Sequence, residues 1–150
     1  MAQCFDQTGS TPPRVVDVVA GVIVRDGRIL VAQRQKGALA GKWEFPGGKV
    51  DPGERPEAAL VREIKEEFSA TVTVGDRIGS VPFTVDGRRY RLIAYWARPD
   101  NGRFVPLDHR RLAWLEPFAL TALDLSPADI PVAHKVAEIF PREGRKEIQR

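Results

Sequence analysis

Cysteine is almost absent: Cys4 is the single one among 150 residues. No disulfide can close within the chain, which suits a reducing compartment, and a cytoplasmic setting is expected. Long apolar runs are missing as well. The longest uncharged one, Val18 to Val24, falls far short of the roughly 20 residues a membrane helix needs, so no membrane partner is expected. Charge of one sign is barely in excess, since 23 basic and 20 acidic residues leave only +3. Part of that excess lies in Arg142, Arg145, Lys146 and Arg150, where a short solvated tail is the plain reading. A nucleic-acid groove would need a basic stripe with interleaved aromatics; none is visible, so no nucleic-acid polymer is expected as partner. Internal repeats and low-complexity stretches are also lacking. Residues 1–14 have no apolar signal segment and carry Gly9, Ser10, Pro12 and Pro13, the composition of a flexible arm.

What is present is the makeup of one globular domain, with 43% apolar and 29% charged residues. The expected organisation is an arm at 1–14, a domain at 15–141 and a basic tail at 142–150. Val15 to Arg25 is rich in valine and predicts a strand, Asp26-Gly27 a hairpin turn, and Arg28 to Gln33 the returning strand. Residues 34–56 are rich in glycine and proline and predict mostly loop, with a short strand near Trp43-Glu44-Phe45. A helix is expected from Pro56 to about Phe68, with Pro56 in its first turn and Glu57 at the positive end of its dipole. Short strands are expected at Thr71–Val74, Arg77–Val81, Phe83–Val85, Arg88–Ala97 and Leu112–Leu115, with a second turn at Asp86-Gly87. Pro117 to Ala122 predicts a helical turn or two. Asp129 can cap a last helix that has Pro131 in its first turn and ends near Phe140-Pro141. Strands on both sides of a central helix imply an α+β fold, a mixed sheet with helices on its faces.

The central helix carries the chemistry. At about 100° per residue, Leu60, Val61, Ile64 and Phe68 share one stripe, and Glu67, Glu63 and Glu66 form an arc beside it. Arg62 and Lys65 fall on the far side. Like charges at these spacings repel, by a few tenths of a kcal/mol per pair where exposed and by more where water screens less. A divalent cation would relieve the conflict, and hard oxygen ligands on one face suit Mg²⁺. An exposed acidic face offset by Arg62 and Lys65 is the other reading. Just upstream, Pro46-Gly47-Gly48 lets backbone approach a ligand without side chains in the way.

Gly48, Glu54 and the run Arg62-Glu63-Ile64-Lys65-Glu66-Glu67 resemble the Nudix box, matching it at seven specified positions over 21 residues. Ser69 stands where the family has glycine, and Ala70 where it has a larger apolar residue. The glycine would supply a left-handed helix exit, in which serine costs on the order of 1 kcal/mol. Leu30-Val31-Ala32-Gln33-Arg34, Gly41 to Val50, Asp108 to Trp114 and Pro127 to Pro131 are similar to the MutT and CTP pyrophosphohydrolase group of that family.

The resemblance implies an α/β/α sandwich with a mixed, curved sheet between helices. It also implies a nucleoside triphosphate pyrophosphohydrolase that uses Mg²⁺, with Mn²⁺ as a substitute, on CTP-like, modified pyrimidine or oxidised guanine nucleotides. Glu63, Glu66, Glu67 and the Gly47 carbonyl would ligate the metal. Glu63 would orient or deprotonate the water, which in MutT-like relatives attacks the β-phosphorus. Arg62 would orient the glutamates. Arg34 would contact phosphate or sugar, Phe45 would line a base pocket, and Asp129 would read the base edge. Phe45 as plain core, Asp129 as a helix cap and Glu54 as a loop support are the structural readings beside these. A further glutamate of the family's metal site aligns with Ala113, leaving Asp108 or Glu116 as substitutes and the number of metals open. His109 reads as a loop or pocket histidine and His134 as surface. Hydrolysis of ADP-ribose or a dinucleoside polyphosphate, or a non-catalytic binding module, are the rival functions. Assembly is open between a monomer and a weak homodimer.

Overall fold

The computed structural model describes residues 14–140. The expected arm, apart from Arg14, and the expected tail lie outside the described residues, as does Cys4. Among the described residues, no helix is long and apolar enough to cross a membrane.

Seven strands form one mixed sheet: β1 (Val15–Arg25), β2 (Arg28–Arg34), β3 (Trp43–Glu44), β4 (Gly47–Lys49), β5 (Thr71–Val85), β6 (Arg88–Asn101) and β7 (His109–Leu115). Among the described residues the helices are α1 (Pro56–Phe68) and α2 (Ile130–Ile139), with 3-10 turns at Pro117–Ala122 and Pro127–Asp129. β1 is central. It runs parallel to β6 from Val15↔Arg89 to Ile23↔Ala97. Along its other edge it pairs first with β4, at Val18 to Ala20, and then with β2, at Val24 and Arg25. That change of partner lets the sheet curve. The gap between is closed by the Gly21 N–H donating to the Pro46 carbonyl at 2.7 Å.

Alternation explains both cores. Val19 and Ile23 of β1, Leu30 and Ala32 of β2, and Ile93 and Tyr95 of β6 face α1, where Leu60, Ile64 and Phe68 pack on them. Ala20 and Val22, Ile29 and Val31, and Leu92 and Ala94 face the other way, onto Leu120, Val132 and Val136. Strands buried on both faces read as continuous apolar runs, which is why β1 and β2 are so rich in valine, isoleucine and leucine. The expected α/β/α sandwich is what the chain forms.

Three expectations need correction. The strands expected at 71–74, 77–81 and 83–85 are one strand, β5. Irregularities at Val74/Arg77 and Arg77/Gly79 absorb its extra residues without breaking the ladder. β4 is a strand although its two glycines predict loop, because its amide edge is taken up by β1. Asp129 occupies the capping position of α2 but makes no side-chain cap.

Helix α1 ends where the missing glycine suggests strain. Ser69 adopts φ 55°, ψ 37°, and its N–H donates to the Lys65 carbonyl. The last carbonyls do not stay open: Val105 N–H bonds Phe68 O at 2.9 Å, and Leu107 N–H bonds Glu67 O at 3.1 Å. Ser69→Gly is expected to stabilise the chain by about 0.5–1 kcal/mol, raising Tm by roughly 1–4 °C in a thermal melt. An unchanged or lower Tm would show that the left-handed serine costs nothing here.

Candidate functional site

The site forms where β4 passes under α1. A Cβ on Gly47 would lie 1.8 Å from the Val19 carbonyl oxygen, and one on Gly48 would lie 2.3 Å from the Glu63 carboxyl carbon. A side chain on Gly47 would collide with backbone and one on Gly48 would displace the Glu63 carboxyl, so the bend brings bare backbone against the acidic arc of α1. Glu63 is thereby pressed onto the strand, with its side chain 14% exposed.

Arg62 is the hub of the arc. Its Nε donates to Glu54 Oε2 at 2.8 Å and its Nη2 to Glu54 Oε1 at 3.0 Å, a two-pronged pairing. Nη1 reaches Glu63 Oε2 at 3.1 Å and Glu66 Oε1 at 3.2 Å, and Nη2 also meets the Lys49 carbonyl at 3.0 Å. The guanidinium therefore ties the loop after β4 to the helix. On the helix wheel it borders the arc beside Glu66, its i+4 neighbour, and its long side chain reaches across to Glu63. Glu54 holds Arg62 from the loop side, and Asp51 N–H donates to Glu54 Oε1. The Arg62 hydrogen bonds bring the Glu54 carboxyl down to about 2, and the same contacts push the Arg62 guanidinium further up.

Glu67 is outside that hub. Its carboxyl is pushed up to about 8, first by burial and then by the charges of Glu63, Glu44 and Asp108. Burial raises Glu63 too, against the opposing pull of Arg62. Glu67 Oε1 is buried without a hydrogen-bond partner. Among the described residues, no three His, Cys, Asp or Glu side chains stand ready-gathered around an ion position. Arg62 instead occupies one oxygen each of Glu63 and Glu66. The donor set still fits a hard divalent cation: carboxylate oxygens crowded in poor solvent, one of them unpartnered, beside backbone that no side chain blocks. A cation there would replace the proton that burial keeps on Glu67.

Glu67 also faces a cavity of about 80 Å³, lined by Arg34, Gln35, Lys36, Glu44, Asp108 and His109 as well. Asp108 thus stands beside Glu67. Ala113 pairs with Val31 in the sheet and offers no ligand, and Glu116 lies past the end of β7. Arg34 Nη1 donates to Glu44 Oε1 at 3.1 Å, and His109 Nε2 meets Glu44 Oε2 at 2.8 Å. Sequence reading missed Glu44; an acidic residue between Trp43 and Phe45 in a short apolar strand was the available signal.

Phe45 and Asp129 come together, on the face of the sheet covered by α2. The Phe45 ring is 3% exposed and packs in the core. Its N–H donates to Asp129 Oδ2 at 3.1 Å, across 84 positions of sequence. Asp129 is 6% exposed, and burial, reinforced by the charge of Glu44, pushes its carboxyl up to about 8. At neutral pH it is largely protonated and can donate as well as accept, whereas an ionised aspartate only accepts. His134 lies exposed on α2.

The NUDIX domain model matches residues 13–136. The CTP pyrophosphohydrolase of Escherichia coli (strain K12) is 44% identical over 121 residues, 79% of this chain and 89% of that protein. The 8-oxo-dGTP diphosphatase of Haemophilus influenzae is 31% identical over 125 residues, 82% of this chain and 92% of that protein. The solution structure of the E. coli ORF135 protein superposes with a TM-score of 0.78 at 38% identity, covering 87% of this chain and 94% of that one.

Two outcomes are expected. Gly48→Ala would push the Glu63 carboxyl aside and lower nucleotide turnover at least ~10-fold while the chain still folds. Gly47→Ala, whose Cβ meets backbone, would lower Tm instead; kinetics and melts of both variants check the contrast. For Asp129, the folded chain holds a proton more tightly than the unfolded one, so its contribution to stability falls as pH rises from the ordinary aspartate range to about 8. Asp129→Asn keeps an acceptor for the Phe45 N–H and cannot ionise. Relative to the parent it is expected to gain on the order of 1–3 kcal/mol between pH 5 and 8.5, read from denaturant melts.

Proposed function

Because the chain belongs to the NUDIX hydrolase family, we propose that it is a nucleoside triphosphate pyrophosphohydrolase that uses Mg²⁺, or Mn²⁺ in its place. It would convert a triphosphate and water to a monophosphate and pyrophosphate. Members of the family generally use divalent metal ions. The activities named for the E. coli and H. influenzae relatives support a CTP-like, modified pyrimidine or oxidised guanine nucleotide as substrate, and clearance of such nucleotides from the cytoplasmic pool as the role. The observation that carries the reading is the unpartnered, buried Glu67 oxygen beside Glu63, under a bend of two glycines that brings bare backbone against the carboxylates.

Glu63, Glu66, Glu67 and the Gly47 carbonyl would hold the cation, with Glu44 and Asp108 as further carboxylates lining the cavity. When bound, the ion neutralises phosphate oxygens and lowers the pKa of a coordinated water. The chain does the rest. Glu63, fixed by Gly48 behind it and Arg62 beside it, takes the proton from the attacking water. The water oxygen bonds to phosphorus as the bridging P–O bond breaks, and the leaving phosphate takes the electron pair. Arg62, whose Nη1 bonds both, holds Glu63 and Glu66 in register. Arg34 meets phosphate or sugar oxygens from the other wall of the cavity. Asp129, tied to the Phe45 backbone, reads the base edge.

A panel of nucleotides with Mg²⁺, products separated by chromatography, tests the reading. Monophosphate and pyrophosphate are expected from a triphosphate, and Glu66→Gln or Glu67→Gln is expected to lower turnover at least ~100-fold. Turnover confined to ADP-ribose, or wild-type rates in both variants, would overturn it.

A further inference from the structure

The pairing of β2 with β7 is regular from Ile29↔Leu115 to Gln33↔Arg111, and then slips. Arg34 faces His109 and not Arg110, so one extra residue is accommodated at this point. Such a bulge re-aims the side chain beyond it. Here it turns the His109 ring inward, where it is 7% exposed and stacks on Phe68 at 5.2 Å and 16°. The loop before it is fastened to the end of α1 by the Val105 and Leu107 amides, and Phe104 packs against both Phe68 and Trp114. The ring is therefore fixed from two sides. Its Nε2 points to Glu44 at 2.8 Å, and since a carboxylate only accepts, that nitrogen carries the hydrogen. The other Glu44 oxygen holds Arg34. Arg34 itself lines the cavity, with its side chain 39% exposed.

We propose that His109 is a positioning residue of the substrate site: by donating to Glu44 it fixes that carboxylate, which in turn holds the Arg34 guanidinium at the cavity wall, where it meets an oxygen of the nucleotide. This deepens the pyrophosphohydrolase reading and rests on it. Nothing in the role asks His109 to touch substrate or metal. It acts on binding and leaves bond breaking alone.

Two substitutions separate the donor from the ring. His109→Phe keeps the stack on Phe68 and loses the donor. His109→Gln loses the ring and keeps an N–H able to reach Glu44. With the best triphosphate of the panel, H109F is expected to raise KM about tenfold, the scale of a lost hydrogen bond to a charged group, with kcat within about twofold. H109Q is expected to stay within about twofold of wild type in both. In a Glu44→Ala background, H109F should add less than about twofold to KM. A wild-type KM in H109F, or a loss in H109Q as large as in H109F, overturns the proposal and leaves only a packing role for the ring. A measurement on the wild-type chain stands beside these in case H109F does not fold. The His109 Nε2–H should give a downfield, slowly exchanging NMR line that Glu44→Ala abolishes; its absence in the wild type also overturns the proposal. Failure of the wild-type chain to cleave any triphosphate would defeat the proposed activity instead, and the NMR line would still decide whether His109 is tied to Glu44.

Discussion

The closeness of β4 to β1 on one side and to α1 on the other governs the site. Two successive glycines let three layers of backbone and side chain meet at separations that a methyl group would destroy. Because Gly47 rests on Val19 and Gly48 on Glu63, the height of α1 above the sheet is set at the point where the carboxylates gather. Leu60, Ile64 and Phe68, each with no exposed surface, then pin the helix in rotation. Burial of each contributes about 1.5–3 kcal/mol, enough to hold the arc of glutamates in place against their own repulsion.

That repulsion is managed unevenly. Arg62 spends its donors on Glu54, Glu63, Glu66 and the Lys49 carbonyl, so these groups are held as the chain stands. Glu67 lies beyond its reach, deeper and next to other acids, and takes up a proton instead. Relief is given to the groups that define the loop and withheld from the one facing the cavity. An arrangement of that kind is stable when empty and becomes more so when a cation arrives.

Much of this was legible in the residues. The 3.6-residue period separated the apolar stripe from the acidic arc, and valine-rich runs announced strands buried on both faces. The serine at the end of the box marked the left-handed helix exit. What stayed hidden depends on contacts between distant segments. Whether Asp129 caps α2 or accepts from Phe45 is decided by the chain folding 84 positions back on itself. Gly47-Gly48 as a strand depends on β1 lying alongside, and the length of β5 on β6 tolerating its irregularities. The inward turn of His109 follows from one unmatched residue between two strands, which no periodicity in either strand reveals.

The final carbonyls of α1 are claimed by the backbone of Val105 and Leu107. The stretch from there to His109 is thus cut to a set length, since it begins on one fixed anchor and ends in the β7 ladder. Diversification in this region would have to occur ahead of Phe104, around Gly102, where the chain is exposed. Added or deleted residues there could reshape the rim while Asp108 and His109 kept their places, so the outer contour of the cleft and its floor are free to evolve independently.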